Sequence, residues 1–301
     1  MDDPFFSGRD AQGGTLTPAE AGPLPPWGRV WVRFPRFPLG IVLPTLVRLL
    51  ALCMGLTAIR YGIEGRFETA VTAVMAAAVL DGLDGRLARA IKGTSRFGAE
   101  LDSLSDFVDF GVAPGLLLYL WTLHEIKGLG WFAVLVFAIA GALRLARFNV
   151  TIDDPAKPAW HAEFFVGMPA PAGAVTVLLP LYLHFSVLEL PASKAMTPFY
   201  IVYVLGIAFL MASRIPHFSG KRIGRIPRDL VIPVLFGVGV TALLLAIYPM
   251  ELLAVLSVAF LAAIPFSFRR YNRLANAEAE KAGAPKQAER GWERLCSAFR
   301  V

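Results

Sequence analysis

Five aspartates lie close together in an otherwise apolar chain: Asp81, Asp84, Asp102, Asp106 and Asp109. Carboxylates are hard oxygen donors, the kind that suit Mg²⁺, Mn²⁺ or Ca²⁺. Several of them converging where water is scarce repel one another, so cations or protons have to neutralise them. Two divalent ions held between bridging aspartates make a clamp for a phosphoryl centre. The spacing favours convergence. Asp81 and Asp84 are three apart and share one face of a helix, and Gly85 and Ala88 continue that face. Asp102, Asp106 and Asp109 follow at intervals of four and three on a second stripe. Gly85 and Ala88 leave a notch where a bulky ligand can reach the backbone. The segment between the stripes is basic, with Arg86, Arg89, Lys92 and Arg96, and arginine pairs readily with phosphate.

The elements that carry these residues are read from the apolar runs. Of 301 residues, 56% are hydrophobic and 17% charged, with a mean hydropathy of +0.57; an ordinary soluble domain is roughly a quarter charged. Crossing a bilayer takes about 20 mostly apolar residues. Eight such segments are expected, near 41–62, 68–90, 101–122, 129–148, 167–186, 198–213, 229–248 and 251–268. The sixth and eighth are short, and the last two meet at a tight Tyr248-Pro249-Met250 turn. The expected fold is therefore all-α: a polytopic transmembrane helical bundle occupying 41–268, with a flexible N-terminal arm at 1–40 and a polar tail at 269–301. The arm mixes Trp27, Trp31, Phe34 and Phe37 with Arg29, Arg33 and Arg36, a combination that suits the headgroup region. It lacks the layout of a signal peptide. The tail, rich in Ala, Glu, Lys and Arg, leaves a surface helix and disorder both open.

Charge tests this topology independently. With both termini in the cytoplasm, 24 of the 29 Lys and Arg fall in or beside the inside segments. The outside loops hold Arg60, Arg66, Lys127 and Lys194, and Arg48 sits alone within the first span. That asymmetry follows the positive-inside rule and puts both acidic stripes at the cytoplasmic ends of their helices. The net charge of +6 then reflects topology and attraction to anionic lipid rather than nucleic acid. Carboxylates at membrane depth cost several kcal/mol each when unpaired, which makes them functional by default. The alternatives are a polar cluster satisfying itself and an ion pathway; an ion-coupled transporter would favour internal repeats, and the acidic pattern does not recur in the second half. Cys53 and Cys296 give no disulfide framework. His124, His161, His184 and His217 stand in different loops or span ends. No nucleophile elbow, P-loop or dinucleotide fingerprint occurs.

The string Asp81-x2-Asp84-Gly85-x2-Ala88-Arg89-x8-Gly98-x3-Asp102-x3-Asp106 resembles the full signature of the CDP-alcohol phosphotransferase family. Further strings resemble its membrane-embedded phosphatidylserine synthase branch: Ala142-Leu-Arg144-Leu-Ala-Arg147-Phe-Asn149, Gly167-Met-Pro169-Ala-Pro171-Ala, and Ser213-Arg-Ile-Pro216-His-Phe-Ser219-Gly-Lys221. The likeness spans about 41–268. The first span departs from it: that branch usually has Pro-Asn followed by Thr, where this chain has Pro44, Thr45 and Arg48.

The resemblance implies a helical bundle with a two-metal site, for Mg²⁺ or Mn²⁺ with Ca²⁺ as an alternative, at the cytoplasmic face of a bacterial inner membrane. It implies that Asp81, Asp84, Asp102 and Asp106 hold the metals and that Gly85, Ala88, Arg89 and Gly98 contact the CDP part of the donor. Asp106 would also be the general base. The expected reaction moves the phosphatidyl group of CDP-diacylglycerol to L-serine and releases CMP. Arg144 and Arg147, with Asn149 nearby, are candidates for the serine carboxylate, and Arg214 with Lys221 form a second candidate cation pair. The sibling reactions, with glycerol phosphate, inositol phosphate or choline as acceptor, stay open on sequence alone. Partners are the donor lipid, serine and bilayer lipids, with no nucleic acid, and the resemblance implies a homodimer.

Overall fold

A computed structural model of the chain describes residues 39–90, 96–151, 164–186, 189, 191–213, 215–218 and 231–281. The expected N-terminal arm, the tail beyond Lys281, and the Arg214 and Lys221 pair lie outside the described residues. Helix is the dominant element because a chain in hydrocarbon satisfies its own backbone only in a helix or a closed barrel. The first two helices, α1 (Leu39–Ile63) and α2 (Phe67–Ala90), pack along each other as a hairpin. Their turn follows from one glycine. Gly65 takes φ +74° and its N–H bonds to the Gly62 carbonyl at 3.1 Å, while Arg66 N–H reaches the Tyr61 carbonyl at 2.9 Å. That is a helix C-cap in which only glycine adopts the left-handed conformation without cost.

The third apolar segment is a composite. It runs as α3 (Arg96–Asp106), a π-helical turn (Phe107–Val112) and α4 (Ala113–Trp121). A π-turn accommodates an extra residue in a helix and often sits at functional sites; here it begins directly after Asp106. A short 3₁₀ turn (Leu123–Ile126) leads to α5 (Lys127–Thr151). The fifth apolar segment is broken into α6 (Ala170–Val177) and α7 (Leu179–Phe185), as expected where Pro180 withholds an N–H. Then come α8 (Thr197–Ala212), α9 (Val231–Ile247) and α10 (Pro249–Lys281).

Among the described residues, four stretches are long and apolar enough to cross a membrane, Val42–Ile63, Phe97–Trp121, Leu123–Val150 and Pro249–Leu274. The helices Ala170–Phe185, Thr197–Ala212 and Val231–Ile247 are apolar but shorter. This is an integral membrane protein of the all-helical class. The eighth segment is longer than its apolar part: α10 continues past 268 to Lys281, because Ala, Glu, Lys and Arg are good helix formers in their own right.

One feature lies outside the expected all-helical pattern. Strands β1 (Phe164–Val166) and β2 (Pro216–Phe218) pair antiparallel, with Phe165 opposite His217. Both are too short for a period-two pattern to register.

The core lies where α4 to α8 meet. Phe110, Leu117, Phe137, Met168, Leu181, Tyr182, Tyr200 and Met211 are fully buried there. By contrast α9 buries no residue and exposes Ile232, Leu235 and Phe236. Such a surface suits acyl chains, which are as apolar as the side chains themselves.

Candidate functional site

Three helices deliver the acids to one corner. α2 brings Asp81 and Asp84, α3 brings Asp102 and Asp106, and the π-turn brings Asp109. One oxygen each from Asp81, Asp84 and Asp102 lie within 4.8 Å of one another. The Asp106 carboxyl is in hydrogen-bond contact with that of Asp81. The two stripes expected from spacing do face each other. Gly98 is buried on the first turn of α3, and Gly85 is half-buried one residue beyond Asp84. Ala88 and Arg89 stand on the last turn of α2, and their side chains lie outside the described residues.

Asp84 is the deepest of the set, with a side chain only 1% exposed. Neither of its carboxylate oxygens has a well-formed hydrogen bond. What stands beside it is Arg48 of α1, whose Nε lies 2.6 Å from Asp84 Oδ2 and 2.9 Å from Asp102 Oδ1. Nε carries one N–H, and it is donated to Asp102; the approach to Asp84 is an ion contact without hydrogen-bond geometry. A buried carboxylate whose oxygens lack hydrogen bonds relies on cations for its stability. Three hard donors in such proximity, one of them unsatisfied, fit a divalent cation.

Asp109 closes the corner from below. It is 1% exposed, and one of its oxygens is buried without a partner. The face of α1 opposite it is Gly55, where a Cβ would collide with the Asp109 carboxylate. The first span thus touches the acidic site twice, seven residues apart on one helix face.

The opposite side is basic and differently built. Arg144 is buried on α5, donates from Nε to the Met168 carbonyl at 3.0 Å, and lies over the Phe148 ring at 5.2 Å. It is within electrostatic reach of both Asp106 and Arg147. Arg147 donates from Nη1 to the Ala212 carbonyl at 2.8 Å, and Asn149 donates from Nδ2 to Ser103 Oγ at 2.8 Å. The acceptor at Met168 exists because Gly167, at φ +80°, turns the chain between β1 and α6. A Cβ there would meet the Ser213 carbonyl oxygen at 2.7 Å. Arg144 and Arg147 are therefore neighbours, each anchored to a backbone carbonyl.

Sequence reasoning missed Arg48 as a member of the site. The signal was present: it was the one cation that the topology left within a span, and ionisable residues there are functional by default.

The chain is similar to proteins already known. The family model for CDP-alcohol phosphatidyltransferases matches residues 41–213. A Mycobacterium leprae protein named CDP-diacylglycerol–serine O-phosphatidyltransferase is 40% identical over 261 residues, covering 85% of each chain. A protein of that name from Helicobacter pylori is 37% identical over 182 residues, 58% of this chain and 72% of its own. One from Methanocaldococcus jannaschii is 36% identical over 156 residues, 47% of this chain and 72% of its own.

Proposed function

The chain belongs to the CDP-alcohol phosphatidyltransferase family, and from that premise we propose that it transfers the phosphatidyl group of CDP-diacylglycerol to L-serine, releasing CMP. The observation that carries the chemistry is the convergence of Asp81, Asp84 and Asp102 within 4.8 Å, with Asp106 against Asp81. The choice of serine rests on the names of the relatives. Asp81, Asp84, Asp102 and Asp106 would hold two divalent cations, Mg²⁺ or Mn²⁺. Bound there, they supply the positive charge that stabilises the transferring phosphoryl group and the departing CMP.

The residues of the chain do the rest. Asp106 accepts the proton of the serine hydroxyl as that oxygen forms its bond to phosphorus and the bond to the CMP oxygen breaks. Gly85 and Gly98 present backbone without side-chain bulk to the CDP part, with Ala88 and Arg89 beside them. Arg144, held in orientation by the Met168 carbonyl, and Arg147, held by Ala212, take the serine carboxylate, with Asn149 at the rim. The donor is a lipid and CMP is soluble, so the reaction belongs at the membrane face. The charge asymmetry of the loops supports eight spans, both termini in the cytoplasm and a cytoplasm-facing site in the inner membrane of a bacterium. The resemblance alone supports a homodimer.

The test is CMP release by purified protein given CDP-diacylglycerol, Mn²⁺ or Mg²⁺, and one alcohol at a time. Release should require serine and cease in EDTA. Release driven equally by glycerol phosphate, inositol phosphate or choline would sink the serine assignment.

A further inference from the structure

Arg48 stands against two of the three carboxylates that could hold a metal. Its Nε sits 2.6 Å from Asp84 Oδ2 and 2.9 Å from Asp102 Oδ1, and its side chain is 12% exposed. Those two aspartates also belong, with Asp81, to the three-carboxylate cluster. A divalent ion binds carboxylate oxygen at about 2.0–2.6 Å. At the same oxygens it would lie within a few ångströms of the guanidinium, close enough for the two cations to repel strongly even though Asp102 is part-exposed. Arginine stays charged throughout, so it cannot yield by losing a proton. It can yield only by moving. The long side chain allows that, since arginine readily carries its head group out to an interface.

We propose that Arg48 is a built-in counter-ion that holds Asp84 and Asp102 together in the metal-free protein and is exchanged for the incoming divalent cation. The bridge joins α1 to both α2 and α3, so it keeps two mutually repelling carboxylates in register before any ion arrives. Its cost is competition: the metal has to displace a cation already in place. The hydrogen-bond pattern fits such a temporary partner. Nε satisfies Asp102 with its one N–H, while Asp84 keeps two buried oxygens without a well-formed bond. An occupant evolved for permanence would use the guanidinium fork, which matches a carboxylate bidentately. The proposal rests on the metal site described above, and its test separates the two.

The experiment compares full-length wild-type protein, Arg48→Gln and Arg48→Lys, each purified in detergent with metal removed. Mn²⁺ binding is followed by the electron paramagnetic resonance signal of the free ion. Arg48→Gln should bind Mn²⁺ at least about tenfold more tightly than wild type, because the competing charge is gone. Its thermal midpoint in EDTA should fall below wild type, and added Mn²⁺ should restore more of it. Equal or weaker Mn²⁺ binding by folded Arg48→Gln overturns the exchange alone; no binding by either protein overturns the metal site with it. If Arg48→Gln does not fold, wild-type protein carries the test. In ¹⁵N-arginine-labelled protein the Arg48 Nε–H resonance, assigned by its loss in Arg48→Lys, should shift and exchange faster with solvent under saturating Mg²⁺. An unmoved resonance overturns the proposal.

Discussion

Two walls face each other across the site, and they handle charge in opposite ways. On the α1–α2–α3 side, charge meets charge: Asp81, Asp84 and Asp102 crowd together and Arg48 bridges two of them. On the α5–α8 side, charge meets backbone: Arg144 and Arg147 each donate to a carbonyl oxygen, of Met168 and of Ala212. The acidic wall is left with unused acceptors, and the basic wall is steadied by neutral ones. A neutral partner fixes the direction of a guanidinium without cancelling its charge. A charged partner cancels charge, as Arg48 does beside Asp84 and Asp102. One group of side chains thus crowds its acids together, while the other ties its guanidinium groups to carbonyl oxygens.

The contrast can be broken at three points. The largest effect is expected at Asp106. Asp106→Asn keeps the shape but removes the proton acceptor, and CMP release should fall by about 10²–10⁴-fold while binding of CDP-diacylglycerol persists. Near-normal release would remove Asp106 from the reaction. An intermediate effect is expected at Arg144. Arg144→Gln should raise the KM for serine by about tenfold, the loss of one charged hydrogen bond, with little change in the KM for the donor. A kcat loss at unchanged serine KM would mean that the basic wall does not hold the acceptor. The smallest effect is expected at Gly55. Gly55→Ala pushes a methyl group into the Asp109 carboxylate and should cost about 1–3 kcal/mol of stability, read as a lower thermal midpoint with Mn²⁺ affinity nearly intact. Unchanged stability would mean that α1 and the π-turn are not in firm contact.

Much of this was legible beforehand, for physical reasons that differ by region. Among the described residues the apolar segments are mostly helical, because hydrocarbon imposes one solution on the backbone. Asp81 with Asp84, and Asp102 with Asp106, could be placed because three- and four-residue spacing fixes a helix face. What escaped was every feature that depends on a second segment distant in sequence. Arg48 looks like an isolated charge until α1 is laid against α3. The carbonyls of Met168 and Ala212 have no identity in a sequence at all, since every residue has one. The β1–β2 pair joins residues some fifty positions apart with three residues a side. The break at Phe107–Val112 replaces what reads as one uninterrupted apolar helix.

That break gives the third rod a property of its own. The upper piece, Arg96–Asp106, carries Asp102 and Asp106, and the lower piece, Ala113–Trp121, packs into the buried core. In a continuous helix the angular setting of one piece would dictate that of the other. The π-turn takes up its surplus residue locally, so its six residues carry the chain round about as far as five in an α-helix. Deleting one residue within it would let the rod close into an ordinary helix with both pieces keeping nearly their present phase. The direction of the aspartates is thus insulated from a change of length at this turn.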